Sequence, residues 1–122
     1  MSNEKKENIV AEKSFHFAVR IVKLYQHLSE KKKEFVLSKQ ILRSGTSIGA
    51  NIQEAEGAIS KADFSNKISI AYKEARETHY WIRLLSATGF LNQKECESIK
   101  KDCEEILKIL RAILNKTRVQ KS

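Results

Sequence analysis

The sequence predicts an all-α protein, an antiparallel up-down-up-down bundle of four helices. Proline is absent and glycine occurs only four times in 122 residues, so few residues break a helix or favour a strand turn. Apolar residues recur at steps of three and four in four long segments, which is the spacing of one helix face. Short polar stretches separate these segments, and helices joined by short turns can only lie antiparallel to their neighbours.

The first two predicted helices lie on either side of a basic turn. The first covers residues 8–29, and its apolar residues form one wide stripe: Phe15, Phe17, Val19, Ile21, Val22, Leu24, Tyr25 and Leu28. The polar run SEKKKE follows as a turn. The second helix covers residues 34–57 and ends with Gly57 as a C-cap.

The last two predicted helices begin at polar capping residues. Helix three, residues 60–88, starts at Ser60, which with Asp63 resembles a capping box. Helix four, residues 92–118, starts at Asn92 and continues with apolar residues that alternate steps of three and four. No internal repeat or composition shift marks a second domain, so residues 1–122 are predicted to form a single domain.

The stretch LRSGTSIGAN, residues 42–51, contains Gly45 and Gly49. A phosphate-binding loop needs G-x-x-x-x-G-K-[ST] between a strand and a helix, and this stretch has no lysine and no preceding strand. On a helix the two glycines lie one above the other and leave room for another helix to approach. Each interior glycine costs roughly 1 kcal/mol relative to alanine, so close packing, within the bundle or between subunits, is the interpretation we favour.

Several features exclude common kinds of site. Cys96 and Cys103 are too far apart on one helix to form a disulfide and are predicted to be reduced core residues. The chain has no E-x-x-H pair and no C-x-x-C, so we expect no metal and no cofactor. The N-terminus lacks the apolar run of a signal peptide, and no window approaches ~18 continuous apolar residues. We therefore expect a cytoplasmic protein without a membrane partner.

The net charge is +8, from 23 basic and 15 acidic residues. Two clusters carry much of the excess, at the first turn and in the C-terminal tail: Lys31, Lys32, Lys33, Lys116, Arg118 and Lys121. In an up-down-up-down bundle these clusters lie at opposite ends. They are our candidate nucleic-acid-binding residues, because clustered lysines neutralise phosphates. The alternative is that they only keep a helical protein soluble.

Two side-chain groups on helices two and three are candidates for assembly. Arg43 and Glu77 are predicted to pair across the helices or across a subunit boundary, and so to set register or assembly. A solvated surface row is the alternative. The run His79, Tyr80 and Trp81 cannot form one flat stacking surface, since consecutive helical residues point about 100° apart. Packing in the core or at a subunit interface is therefore favoured for these aromatic residues.

One spacing suggests an enzyme. Arg20 and His27 form an R-x6-H pattern that resembles the signature of HEPN ribonucleases, in which histidine and arginine act on a ribose hydroxyl and a phosphate. Ile21 follows the arginine where a polar residue is usual in that signature. We favour an exposed His27 that interacts with the helix dipole, and we expect no catalysis.

Two long blocks carry a family resemblance. ILRSGTSIGANIQEAEGA, followed by SKADFSNKISIAYKEARETHYWIRLL, resembles the four-helix-bundle proteins encoded in intervening sequences of bacterial 23S ribosomal RNA genes, the S23 family. The resemblance implies a left-handed bundle that assembles as a ring, typically a homopentamer. It also implies kinship with the accessory variability proteins of diversity-generating retroelements, whose basic pentameric barrels bind nucleic acid and a partner reverse transcriptase.

The expected function follows from the charge and the resemblance together. In a ring each basic cluster would repeat around a rim and form a collar for phosphates. We expect non-specific binding of RNA or DNA, or a role as an adaptor for a nucleic-acid enzyme such as a reverse transcriptase. The alternative is a structural or protein-interaction scaffold without affinity for nucleic acid.

Overall fold

The predicted all-α fold is confirmed. A computed structural model describes the backbone of residues 3–121 and the side chains of residues 4–117. The described residues form four helices and no strand: α1 (Asn3–Glu30), α2 (Leu37–Glu56), α3 (Lys61–Ala87) and α4 (Gln93–Lys121). Consecutive helices pack against each other, and α4 packs back against α1. The result is a four-helix bundle in which every helix has two neighbours.

The helix boundaries differ most from the prediction at α1 and α2. Helix α1 begins at Asn3 rather than at residue 8, because the charged residues before residue 8 are good helix formers. Helix α2 begins at Leu37 rather than at residue 34, because Glu34 caps this helix. The Glu34 carboxylate accepts hydrogen bonds from the amides of Ser38 at 2.7 Å, Leu37 at 3.1 Å and Val36 at 3.2 Å.

These hydrogen bonds determine the ionisation of Glu34. Burial raises the pKa of this carboxyl, but the hydrogen bonds from Leu37, Ser38 and Val36 outweigh the burial and lower it below its ordinary value of 4.5. The start of α3 is capped in a similar way, since the Ser60 hydroxyl accepts from the Asp63 amide at 3.0 Å. Both caps satisfy amides that would otherwise lack a partner at a helix N-terminus.

The core contains apolar residues from all four helices. Its largest fully buried side chains are Val10, Phe17, Ile21, Leu28, Ile41, Ile48, Ile68, Ile82, Leu85, Ile106, Leu110 and Ile113. Cys96 and Cys103 are free and buried. Burial raises the pKa of Cys103 to about 12, with the nearby charges of Glu104 and Asp102 adding to the shift. This thiol donates a hydrogen bond to the carbonyl of Ala75 at 3.3 Å.

Helix α1 has a second apolar face, whose residues the prediction placed in one wide stripe together with those of the core. Phe15, Val19 and Val22 are 67%, 39% and 38% exposed and lie on the outer side of α1. We call these three residues the outer stripe. The assignment was wrong for them because apolarity alone does not distinguish two apolar faces of one helix. Exposed apolar residues that share one helix face can form a contact surface for another protein.

The two glycines of α2 lie against α1. A Cβ atom on Gly45 would meet Cγ1 and Cγ2 of Ile21 at 2.8 Å, which is closer than real Cβ atoms approach other atoms. A Cβ atom on Gly49 would meet Oγ of Ser14 at 3.3 Å. Because glycine has no side chain, α1 and α2 can approach closely within a single subunit.

Candidate nucleic-acid interface

Positive charge is concentrated at one end of the bundle. This end, which we call the basic end, is formed by residues 20–40 and 80–100, where α1 and α3 finish and α2 and α4 begin. It contains nine basic and four acidic residues, whereas the rest of the chain contains fourteen and eleven. The excess of lysine and arginine at the basic end creates a local positive potential.

The turn between α1 and α2 presents three lysines at the basic end. Lys31, Lys32 and Lys33 are all exposed, and none of them forms an ion pair with another described residue. The amides of Lys31 and Lys32 donate to the carbonyl of His27 at 2.9 and 3.2 Å. Lys33 has a φ of 54°, a left-handed conformation that reverses the chain towards α2.

Two lysines on the sides of the bundle are paired with carboxylates. Lys13 lies 3.1 Å from Glu105 across α1 and α4. Lys67 lies 3.2 Å from Glu54 across α3 and α2. Such pairs leave little net charge for a phosphate ligand, whereas three adjacent lysines without an ion pair concentrate positive charge at the basic end.

The predicted Arg43 and Glu77 are brought together by the structure. The Arg43 guanidinium contacts Glu77 and lies 3.1 Å from Glu74. Trp81 donates its indole N–H to the same Glu77 oxygen at 2.9 Å. The pair therefore connects α2 to α3 within one subunit, and its role in assembly stays a prediction.

Tyr80, the middle residue of the aromatic run that begins at His79, is 53% exposed.

Among the described residues, two open cavities lie at the α1/α4 interface. The first, of about 260 Å³, lies at the basic end, and we call it the α1/α4 cavity; it is lined by Arg20, Lys23, Leu24, His27, Leu91, Glu95 and Ile99. The second, of about 410 Å³, lies further along the same interface and also contains Arg20. The Arg20 guanidinium donates to Asp102 at 2.6 Å and to Ser98 at 3.1 Å. It therefore bridges α1 and α4 between the two cavities.

Arg20 and His27, the residues of the R-x6-H pattern, both line the α1/α4 cavity. His27 is exposed in the last turn of α1, as the dipole interpretation expects. The hydrogen bonds of Arg20 all go to α4, because Asp102 and Ser98 accept them. That the two residues take no part in catalysis stays a prediction.

The C-terminal cluster is described only in part. Lys116 is exposed on the last turns of α4, at the end of the bundle opposite to the basic end. The side chains of Arg118 and Lys121 lie outside the described residues. Of the two predicted clusters, the lysine turn is the one whose surroundings the structure describes in full.

Sequence reasoning singled out Arg20 and His27 but missed the other cavity residues. Leu91 lies in the turn before α4 and Glu95 in the first turn of α4, and the only signal at that place was the capping motif. The Asn92 side chain does accept from the Glu95 amide at 2.8 Å. The α1 residues that line the cavity with Leu91 and Glu95 are distant from them in sequence, so spacing within one helix could not reveal the cavity.

Comparison with known proteins establishes the family. A family model described as 23S rRNA-intervening sequence protein matches residues 6–112. The chain belongs to this family. Within the S23 ribosomal protein family, a crystal structure of a protein with unknown function from Bacteroides thetaiotaomicron VPI-5482 is 58% identical and has a TM-score of 0.89. That match covers 90% of this chain and 98% of the other. No curated protein matches the chain.

No described helix is long and apolar enough to cross a membrane.

Proposed function

We propose that this S23 family member is a homo-oligomeric protein that binds nucleic acid non-specifically through its basic end, without catalysis, in the cytoplasm. The observation that carries the proposal is the turn of three exposed lysines, Lys31 to Lys33, which have no carboxylate partner among the described residues. Lysines that are free to contact phosphates release counterions from a nucleic acid, and this release drives non-specific binding.

An exposed aromatic residue beside the lysines adds to this support. Phe35 follows the turn and is 53% exposed. Aromatic faces accept any base by stacking, so an aromatic residue within a cationic surface is typical of proteins that bind single strands. The combination favours an unpaired strand over a duplex whose bases are already stacked.

The outer stripe supports self-association. Phe15, Val19 and Val22 give α1 an exposed apolar face in addition to its core face. A second subunit would cover this face, and a ring, with five copies as the family resemblance implies, would repeat the basic end around one rim. The repetition turns three lysines per chain into a collar that contacts many phosphates.

The same surfaces allow an adaptor role. A collar that holds RNA or DNA could present it to a nucleic-acid enzyme such as a reverse transcriptase, while the outer stripe holds the ring together. The competing proposal is a protein-interaction scaffold, which the outer stripe alone would serve. Affinity for nucleic acid separates the two.

Binding of a labelled single strand of about 12 nucleotides, followed by anisotropy at rising salt, tests the proposal. We expect affinity to fall steeply as salt rises. Alanine at Lys31, Lys32 and Lys33 should weaken binding and reduce the slope of the salt dependence by about 0.7 for each phosphate that is no longer neutralised. The matched control replaces Lys61, Lys73 and Lys108, which are exposed lysines away from the basic end, and should change binding little. Absence of binding at low salt would reject the proposal and leave the scaffold.

Light scattering on the nuclease-treated protein tests the assembly. We expect a ring mass that falls to that of smaller species when Phe15 is replaced by glutamate, since a charge in the covered apolar face opposes association. Phe15 is not a core residue, so the subunit itself should stay helical. A monomeric mass for the unmodified chain would contradict the assembly.

A further inference from the structure

We propose that the α1/α4 cavity at the basic end binds one unpaired base of a single-stranded nucleic acid. The inference rests on the proposed function and adds to it a place where a base, and not only the phosphate backbone, is held. It is carried by the size of the cavity, its apolar floor, the two planar side chains in its walls and its continuity with the lysine turn.

The size and lining of the cavity suit one nucleic-acid base. Its volume is about 260 Å³, slightly below the range of about 300 to 1,000 Å³ that is usual for drug-sized ligands. The apolar part of its lining comes from Leu24, Leu91 and Ile99. An unstacked base has two apolar faces, so an apolar floor with polar walls matches its surface.

Two planar groups in the walls can stack on a base. His27 contributes an exposed imidazole and Arg20 a guanidinium, both of which stack on bases in proteins that bind single strands. Asp102 and Ser98 hold the Arg20 guanidinium by hydrogen bonds of 2.6 and 3.1 Å. Because the group is held before any ligand arrives, less conformational entropy is lost on binding. Asp102 is therefore a positioning residue for the cavity.

The cavity adjoins the surface that would hold the phosphates. The backbone amides of Lys31 and Lys32 are hydrogen-bonded to the carbonyl of His27, a residue of the cavity wall. Lys23 also lines the cavity and has no ion pair among the described residues. A strand whose phosphates follow the lysine turn could place one base in the cavity without leaving the basic end.

Glu95 gives the cavity a preference among bases. An ionised carboxylate only accepts hydrogen bonds, and its contact with the Asn92 amide is a long one of 3.4 Å, made by Oε1 alone. Guanine presents two adjacent N–H groups on its pairing edge, whereas uracil presents one N–H between two carbonyl oxygens. We therefore infer that the cavity favours guanine over uracil.

The first test compares an intact single strand of about 12 nucleotides with an abasic strand that has the same phosphates. We expect the unmodified protein to bind the intact strand about tenfold more tightly. Replacing Leu24 with Phe fills the cavity and should abolish the difference, while the lysine turn stays unchanged. Equal affinity for both strands would overturn the cavity proposal and leave the proposed function intact. Absence of binding to either strand would overturn both.

The second test uses an exposed residue, so that it does not depend on a core substitution. Glu95→Gln keeps the capping motif, since glutamine serves at that position as well as glutamate. The unmodified protein should prefer an oligouridine strand with one guanine over plain oligouridine, and Glu95→Gln should lose that preference because its amide also donates. The same preference in both proteins, or none in the unmodified one, would overturn the assignment of Glu95. Helicity measured by circular dichroism is the check on folding for each variant.

Discussion

Helix α2 packs closely against its two neighbours where small side chains meet, whereas the backbones of α1 and α4 approach each other at fewer points. At α2, Gly45 lies against Ile21 of α1, and the buried hydroxyl of Ser44 lies 2.9 Å from that of Thr78 in α3. At the α1/α4 interface, two open cavities lie beside the exposed ion pairs of Lys13 with Glu105 and Arg20 with Asp102.

This difference in packing suggests that the contacts of α2 stabilise the fold, whereas the α1/α4 interface binds a ligand. Small side chains bring backbones close together. An open cavity of about 320 Å³ beside Gly49 on the α1/α2 surface has no charged residue in its lining, so it offers nothing to a phosphate. Long polar side chains keep the helices further apart and leave spaces between them, which a ligand can enter. Helices α1 and α4 are also the only packed pair of described helices that are not consecutive in the chain. The open interface therefore lies where the bundle closes on itself.

The largest expected effect comes from Gly45→Ala. The added Cβ would clash with Ile21, a fully buried and stiff β-branched side chain. We expect a loss of about 2 kcal/mol in the free energy of unfolding, measured by urea denaturation. Gly49→Ala is the matched control. Its added Cβ would lie 3.3 Å from the Ser14 hydroxyl oxygen, a longer contact than that at Gly45, and alanine has a higher helix propensity than glycine. Equal effects of the two substitutions would contradict the close-packing account.

A smaller loss is expected for Thr78→Val. The substitution keeps the shape of the side chain but leaves the buried Ser44 hydroxyl without its partner across α2 and α3. We expect a loss of about 1 kcal/mol in the free energy of unfolding. Adding Ser44→Ala should restore part of this loss, since the unsatisfied hydroxyl is removed. If the two substitutions are additive in a double-mutant cycle, the hydrogen bond does not couple the helices.

The Glu34 cap at the start of α2 makes the stability of the folded protein depend on pH. The pKa of Glu34 is lowered from 4.5 in the folded protein, so the ionised carboxylate contributes stability above pH 4.5. That contribution is lost as the pH falls through the lower folded pKa. Glu34→Gln should lower stability by about 0.5 kcal/mol at neutral pH, and the gap between the two proteins should close in acid. A gap that persists in thermal melts at low pH would contradict this role.

The smallest effect on stability is expected at the open interface. Arg20 and Asp102 are 40% and 43% exposed, and exposed ion pairs contribute little. Asp102→Asn should change the free energy of unfolding by less than about 0.5 kcal/mol. It should nevertheless reduce the preference for an intact strand over an abasic one, because Arg20 is less firmly held. Loss of stability without any change in that preference would assign Asp102 to the fold alone.

The fold could be predicted from the sequence, because apolar spacing and the absence of proline depend only on neighbouring residues. The capping motif at Ser60 and the position of Gly45 and Gly49 on one helix face were predictable for the same reason. The outer stripe was misassigned, since Phe15 and Phe17 are equally apolar and only the packed bundle shows which face is covered. The cavity could not be predicted, because Arg20 and its partner Asp102 are 82 residues apart in the chain.

Hydrogen–deuterium exchange with and without a short single strand tests the central claim most directly, because it reports on the packed and open regions in one experiment. We predict that the strand slows exchange in residues 23–34 and 91–99, which contain the lysine turn and the cavity walls. Exchange where α2 and α3 pack together should stay the same. Protection confined to the α2 and α3 helices, or no protection anywhere, would contradict the assignment of binding to the basic end.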